Sequence, residues 1–215
     1  MDHINIGILS IQGDVEENIL ATRYCFKKLS CVGVVNEINN DTQISKLDGL
    51  IIPGGESTTI AKLSTVYQLL KKLQNKINCG MPVFGICAGL ILLSKHINDK
   101  KIGQTNQIHM DLPDVEVERN HFGRQQNSFE SDIEIMLHKM IKTKGIFIRS
   151  PSITKIGTNV QILSKLYDNI IAVRQNNIIA TSFHPELTRD IVLYCLLYTS
   201  PSPRDRTRSR MPSSA

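Results

Sequence analysis

The chain has 215 residues, of which 41% are hydrophobic and 21% charged, so it is long enough to bury one globular core. The formal net charge is +5, but residues 199–215 contribute +3 of it, and the remainder carries no basic stripe of the kind that binds nucleic acid. No apolar run approaches the roughly 20 residues of a membrane span.

The cysteines and the chain ends bear on compartment and domain boundaries. Five cysteines, an odd number without C-x-x-C spacing, predict reduced thiols in the cytoplasm rather than disulfides or a metal site. The first residues lack the basic region and cleavage site of a secretory signal. Residues 199–215 are rich in Ser, Pro and Arg and resemble a disordered, non-native extension. We therefore predict one domain over residues 1–198.

The first half of the chain predicts strands that alternate with helices. Short apolar segments predict strands at 4–9, 31–35, 48–52 and 82–86. A helix is expected over residues 14–29, another of about 20 residues after the third strand, and a deeply buried one after the fourth. The alternation predicts an α/β fold with a doubly wound, mainly parallel sheet flanked by helices.

Glycine-rich turns end the third and fourth strands. The third strand leads into Pro-Gly-Gly-Glu-Ser at 53–57, where the glycines let the backbone approach a ligand and turn its amides toward an anion. The fourth leads into Gly-Ile-Cys-Ala-Gly at 85–89, the spacing of a nucleophile elbow centred on Cys87. The following helix N-terminus favours a thiolate there. The amides of Gly55 and Ala88 together predict an oxyanion hole.

The second half of the chain supplies a candidate base. Residues 98–127 have the pattern of polar loops, strand-like segments return at 145–148, 160–163, 170–173 and 178–182, and a final helix is expected from about 188 to 198. His184 follows the last of these strands, at the sheet edge where ligand sites gather. Glu186 is placed to orient it, so Cys87, His184 and Glu186 predict nucleophilic catalysis.

Three segments together resemble the class I glutamine amidotransferases, at residues 53–58, 85–89 and 182–186. Others narrow the resemblance to the glutaminase subunits of pyridoxal 5′-phosphate synthase: Leu-Ser-Ile-Gln-Gly at 9–13, Glu-Arg-Asn-His-Phe-Gly-Arg-Gln at 118–125 and Phe-Ile-Arg-Ser-Pro at 147–151. These motifs extend over residues 4–190. The family implies a flavodoxin-like three-layer sandwich that uses neither cofactor nor metal.

The resemblance implies that L-glutamine is hydrolysed to glutamate and ammonia. Cys87 would attack the side-chain amide and form a γ-glutamyl thioester, while His184, oriented by Glu186, would protonate the ammonia and then activate water. The residues implied to contact glutamine are Gly55, Glu56, Ser57, Arg119, Ile148 and Arg149. The planar fork of an arginine suits the α-carboxylate. Without the resemblance, Arg119 would be interpreted as a surface partner of Glu116 or Glu118.

The family also implies a partner. A larger synthase subunit would use the ammonia to build pyridoxal 5′-phosphate in a hetero-oligomeric complex, with low glutaminase activity until it docks. Gln12, in the loop after the first strand, is predicted to lie at that interface. No nucleic-acid or membrane partner is expected.

The sequence departs from the family pattern in three places. Residues 100–115 are longer and more polar than expected, His121 replaces a small residue and is interpreted as near-site surface, and the final helix is cut short after Asp190, which would uncover apolar surface. Three alternatives stay open. They are the glutaminase subunit of another enzyme such as imidazole glycerol phosphate synthase, an inactive docking module, and a cysteine peptidase or γ-glutamyl hydrolase on the same fold.

Overall fold

A computed structural model describes residues 3–99, 103–122, 128–188 and 190–199. Over these residues the helices are α1 (Val15–Leu29), α2 (Ser57–Val66), α3 (Leu69–Asn78), α4 (Ala88–Leu93) and α5 (Val192–Thr199). The strands are β1 (Ile4–Leu9), β2 (Gly33–Ile38), β3 (Gly49–Ile52), β4 (Val83–Ile86), β5 (His96–Asp99), β6 (Gly103–Gln104), β7 (Val115–Arg119), β8 (Phe129–Met136), β9 (Met140–Phe147), β10 (Ser152–Ile156), β11 (Gln161–Leu166), β12 (Asn169–Gln175) and β13 (Ile178–Thr181). Short 3-10 helices lie at Asp41–Lys46 and Pro185–Leu187.

One large mixed sheet organises the molecule. Its strand order is β2-β1-β3-β4-β13-β12-β10-β7-β5-β6, with β11 paired to β12. The strands from β2 to β13 are parallel neighbours, which confirms the predicted doubly wound sheet. The strands beyond β13 were not predicted to extend it, and they pair antiparallel apart from β5 with β7. Strands β8 and β9 form a separate antiparallel ribbon.

The central strands face a hydrophobic core on each side of the sheet. In β3, Ile51 contributes to a cluster that contains residues of α1 and α5, whereas Leu50 and Ile52 contribute to one that contains residues of α2, α3 and α4. Because helices cover both faces, β3 and β4 are buried at every position. This is why they are recognisable in the sequence as short, uninterrupted apolar runs.

The prediction of one long helix after β3 is wrong, because the chain breaks between α2 and α3. Gln68 adopts a left-handed conformation with φ of 55° at the break. At about 3.6 residues per turn, an unbroken helix would place Ile60 and Ser64 roughly opposite Leu73. The break brings all three into the core. The apolar spacing through Val66 was misleading, since that side chain is 72% exposed.

The prediction of polar loops over residues 98–127 is also wrong in part. Strands β6 and β7 lie within this segment, and in β7 the buried Val115 and Val117 alternate with less buried residues. Met110 donates a backbone hydrogen bond to Leu92 O at 2.8 Å, so the segment continues along α4.

Strand β8 was not predicted, because charged residues at its alternate positions face solvent. Residues 100–102 and 123–127 lie outside the described residues.

Helix α5 is joined to α1 by a buried polar contact. The Tyr194 hydroxyl donates to Asn18 Oδ1 at 2.6 Å, and the Tyr194 ring packs edge-on against Phe84. The shortened final helix therefore still covers this sheet face, contrary to the predicted loss of cover. The predicted disordered tail falls, from residue 200, outside the described part of the chain. None of the helices in the described part has the length and apolar character needed to cross a bilayer.

Replacing Tyr194 by Phe tests this contact, because it removes the hydroxyl and keeps the ring. Asn18 is fully buried and would lose a donor, so we expect the free energy of unfolding in urea to fall by about 1–3 kcal/mol. The control Tyr167→Phe removes a hydroxyl from a ring that is 87% exposed, and should change stability by less than about 0.5 kcal/mol. Equal stability of the two variants would show that the buried bond contributes nothing net.

Candidate active site

Loops after neighbouring parallel strands converge at one edge of the sheet. They follow β1, β3, β4 and β13, which lie side by side in that order. A cleft of about 350 Å³ opens between these loops and the ends of β7 and β9. The residues lining it are Gln12, Gly13, Asp14, Gly55, Glu56, Ser57, Cys87, Ala88, Ile91, Arg119, Asn120, Ile148, Arg149 and His184. Every site residue named from the sequence is therefore in the cleft lining except Glu186, which lies behind His184.

Cys87 forms the tip of a sharp turn between β4 and α4. Its φ of 49° and ψ of −97° are strained for a residue with a side chain, as in the nucleophile elbows of hydrolases. The flanking glycines make the turn sterically feasible, because a Cβ at Gly89 would overlap the carbonyl oxygen of Ile52. The Cys87 amide donates to Thr181 O at 2.8 Å and so ties the turn to β13. The sulfur is held at a fixed point of the cleft.

His184 is fixed through its backbone and through its ring. Its N–H donates to Ile146 O in β9 at 2.9 Å, and its Nδ1 lies 2.7 Å from Glu186 Oε1. The Glu186 side chain is fully buried in the 3-10 turn that follows. The other ring nitrogen, Nε2, is buried and has no hydrogen-bond partner among the described residues. It is thus the nitrogen available to exchange a proton with Cys87.

The neighbours of His184 favour its protonated form. Burial alone would lower the pKa of the imidazole, but the side chains of Asp14, Cys87 and Glu186 outweigh it and raise the pKa of His184 to about 12. Burial is also the main influence on Glu186 and raises the pKa of its carboxyl, although the hydrogen bond with His184 opposes this. The raised pKa therefore favours an imidazolium next to Cys87, the arrangement that activates cysteine nucleophiles.

The opposite wall of the cleft is a polar network around Glu56. Its Oε2 accepts the Thr59 amide at 2.8 Å and caps α2, while its Oε1 lies 3.4 Å from Arg119 Nη2. Burial tends to raise the pKa of Glu56, but hydrogen bonds from Thr58 and Thr59 outweigh it and hold that pKa below its usual value. Gln12 supports the same loop, since its Oε1 accepts the Glu56 amide at 2.7 Å. Gln12 therefore also lines the cleft, while its predicted role at an interface stays a prediction.

Gln107 links two of the predicted substrate-binding residues from behind. Its Oε1 accepts from Arg119 Nη1 at 3.0 Å and from the Ser57 hydroxyl at 3.2 Å. Its Nε2 is buried without a partner in the described part of the chain. Gln107 thus fixes the direction of the Arg119 guanidinium toward the cleft.

The alternative pairing of Arg119 with Glu116 or Glu118 is not what the structure shows. Glu116 pairs with Lys155 at 2.9 Å, and Glu118 lies 2.7 Å from His121 Nδ1. The half-buried His121 is outside the cleft lining, next to the site.

Sequence reasoning missed Asp14, Gln107 and Asn120 as site residues. Asp14 was predicted only as the first residue of the helix over residues 14–29, but its Oδ2 lies 3.3 Å from His184 Nδ1. Its position just beyond a predicted buried strand was the signal that could have identified it. Gln107 lies in a segment without periodicity and gave no signal.

The protonation of His184 can be followed by NMR. An ordinary histidine titrates near pH 6.5, whereas the raised pKa keeps His184 protonated, so we expect its imidazole signals to stay unchanged from about pH 6 to pH 9. The stabilisation linked to this proton is complete below about pH 6.5 and is lost progressively as the pH rises from there to about 12. The signals are assigned by their absence from His184→Asn. A titration midpoint near 6.5 would contradict the electrostatic role of its neighbours.

Known proteins resemble the chain in sequence and in structure. "Pyridoxal 5′-phosphate synthase subunit PdxT" of Nitrosopumilus maritimus (strain SCM1) is 44% identical over 189 residues, 88% of this chain and 92% of the relative. The protein of the same name from Saccharolobus islandicus (strain M.14.25 / Kamchatka #1) is 40% identical over 185 residues, 86% of this chain and 92% of the relative.

A solved structure described as a glutamine amidotransferase superposes with a TM-score of 0.78 at 37% identity, covering 89% of this chain and 96% of that one. The model of the SNO glutamine amidotransferase family matches residues 8–198. This match spans the elbow, the histidine and the polar wall of the cleft. The chain therefore belongs to the SNO glutamine amidotransferase family.

Proposed function

We propose that this chain is the glutaminase subunit of a pyridoxal 5′-phosphate synthase. It hydrolyses L-glutamine to L-glutamate and ammonia and delivers the ammonia to a synthase subunit. The observation that carries the proposal is the meeting of Cys87, His184 and Glu186 at one cleft in a member of a glutamine amidotransferase family. The shared name of the relatives supports the choice of acceptor pathway.

In the first half of the reaction, Cys87 attacks the side-chain amide carbon of glutamine. A C–S bond forms, and the oxyanion of the tetrahedral intermediate accepts hydrogen bonds from the amides of Gly55 and Ala88, since both residues line the cleft together with Cys87. His184 gives its Nε2 proton to the amide nitrogen, the C–N bond breaks, and ammonia departs, so that a γ-glutamyl thioester of Cys87 remains. Glu186 keeps the imidazole in the orientation that this transfer requires.

In the second half, the now neutral His184 takes a proton from water as the water attacks the thioester. The C–S bond breaks, glutamate leaves, and the sulfur and imidazole return to their starting state. One ring nitrogen serves both steps, because Nδ1 stays bound to the acid behind it.

The polar wall suits the amino-acid end of glutamine. The Arg119 guanidinium binds the α-carboxylate, and Glu56 Oε1 accepts a hydrogen bond from the α-ammonium. Arg119 and Glu56, whose side chains are 3.4 Å apart in the free site, thus each bind one charged group of the substrate. Ser57, Ile148 and Arg149 complete the cleft around the substrate. The cleft volume of about 350 Å³ is sufficient for one small amino acid.

The synthase partner and the compartment complete the proposal. The loop that carries Gln12 reaches from the cleft to an exposed surface, so a docked subunit could act on the Glu56 loop through it. The cysteines at 25, 31, 79, 87 and 195 are all free, which supports a reducing, cytoplasmic setting.

Glutamate release from glutamine tests the activity and its nucleophile. With a pyridoxal 5′-phosphate synthase subunit added, we expect release by the unaltered chain and a loss of at least about 10³-fold in Cys87→Ala. The matched control Cys79→Ala changes an exposed cysteine and should retain activity. Release that needs no Cys87 would overturn the mechanism. Activity stimulated instead by an imidazole glycerol phosphate synthase subunit would overturn the acceptor assignment.

Gln107 gives a second test, directed at substrate binding. In Gln107→Ala, Arg119 loses an acceptor that fixes its direction, so we expect KM for glutamine to rise about tenfold and kcat to fall less. The control Asn106→Ala alters the exposed neighbour on the same segment and should leave KM unchanged. A fall in kcat with unchanged KM would argue that Gln107 does not act through the substrate carboxylate.

A further inference from the structure

Asp14 occupies the N-cap position of α1 but makes no side-chain capping hydrogen bond. An aspartate at this position usually accepts an amide of the first helical turn. Here the carboxylate turns away from the helix, and its Oδ2 lies 3.3 Å from His184 Nδ1. A residue that gives up its ordinary local bond for a contact with the catalytic imidazole is a candidate for a role in catalysis.

The contact is built into the packing of two loops. The Asp14 amide donates to Gly54 O at 3.2 Å. A Cβ on Gly54 would lie 2.5 Å from His184 Cε1 and 2.6 Å from Asp14 Oδ2, so only glycine lets both side chains meet at this point. Gly13 is equally constrained, because its φ is 109° and an added Cβ would overlap Gly54 O.

The ionisable groups that face His184 are the sulfur of Cys87 and two carboxylates. Cys87 is a neighbour of the ring, while Glu186 and Asp14 lie at Nδ1, at 2.7 Å and 3.3 Å. The single Nδ1 proton is donated to the nearer, fully buried Glu186. The close contact with His184 lowers the pKa of the half-exposed Asp14 carboxyl despite its partial burial, which favours the charged form.

We propose that Asp14 is a positioning residue of the active site, a second carboxylate that stabilises the protonated imidazole of His184 beside Glu186. The kinetic consequence rests on the proposed glutaminase function. In the thioester the sulfur carries no charge, so the two carboxylates determine how firmly His184 holds its proton. His184 must be neutral at Nε2 to activate water, and Asp14 therefore sets the lower pH limit of that step.

The first experiment does not depend on activity. The His184 titration is followed by NMR in Cys87→Ala, which removes the influence of the sulfur, and again after adding Asp14→Asn. We expect Asp14→Asn to lower the titration midpoint of His184 by about one pH unit, which is a tenfold lower proton affinity. Adding Glu16→Gln instead removes a charge from the first turn of α1 without touching His184, and should move the midpoint much less. Equal midpoints with and without Asp14→Asn would overturn the proposal.

The second experiment measures kcat for glutamine hydrolysis against pH, with the synthase subunit present. In Asp14→Asn the acid limb should move about one unit to lower pH, whereas a merely structural role would lower kcat evenly without moving the limb. An unmoved limb in an active variant would overturn the proposal. If the unaltered chain releases no glutamate, the proposed function fails and the NMR result alone decides the role of Asp14. Unchanged thermal unfolding in Asp14→Asn excludes a general loss of stability as the cause.

Discussion

The contact between the loop after β1 and the loop after β3 is the constraint on which the site depends. The backbones of Gly13 and Gly54 pack so closely that neither position has space for a side chain. This closeness allows the imidazole of His184 to lie directly against a peptide unit. The ring is consequently shielded from water and surrounded by protein groups of fixed position. In such surroundings a few charges have a large effect on a proton equilibrium.

The two parts of the mixed sheet contribute different functions to the cleft. The parallel strands present Cys87 and His184 at adjacent carboxyl ends, as the register of Ile86 with Thr181 shows. Arg119 ends β7, in the extension beyond β13, and Arg149 follows β9 of the separate ribbon. The ribbon also holds the His184 backbone through Ile146. The cleft is therefore assembled from both parts of the sheet and from the ribbon, and the ribbon both leads into Arg149 and contacts the His184 backbone.

The sequence was sufficient to predict the parts of the fold that are buried on both sides. Uninterrupted apolar runs marked β1, β3 and β4 within a residue or so, and the glycines of the elbow marked Cys87. It was insufficient at β8, where burial is one-sided, since alternating charged residues resemble a loop. The break at Gln68 could be predicted only by comparing the directions of the buried faces of α2 and α3. The spacing of apolar residues along one helix does not show that these directions differ.

The candidate site shows the same division. Cys87, His184 and Glu186 carry local signals, namely a turn motif and a strand end. Asp14 and Gln107 act through contacts with residues far away in sequence, at separations that no local pattern encodes. Only the folded chain brings them to their partners. Among residues that act through such distant contacts, sequence reasoning can still identify charged residues near the end of a predicted strand.

The strained backbone at Cys87 has a consequence for how the protein can change. A positive φ at a residue with a side chain costs about 1–3 kcal/mol, which the surrounding core must offset. The substitution Cys87→Gly would remove this backbone strain and increase folding stability. It would also remove the thiol, so the change that stabilises this turn would damage activity. Selection for thermal stability alone would therefore favour replacement of Cys87 at this turn. Variants evolved toward robustness must instead collect their gains elsewhere, in elements such as α3 and the β8–β9 ribbon that carry none of the reacting atoms.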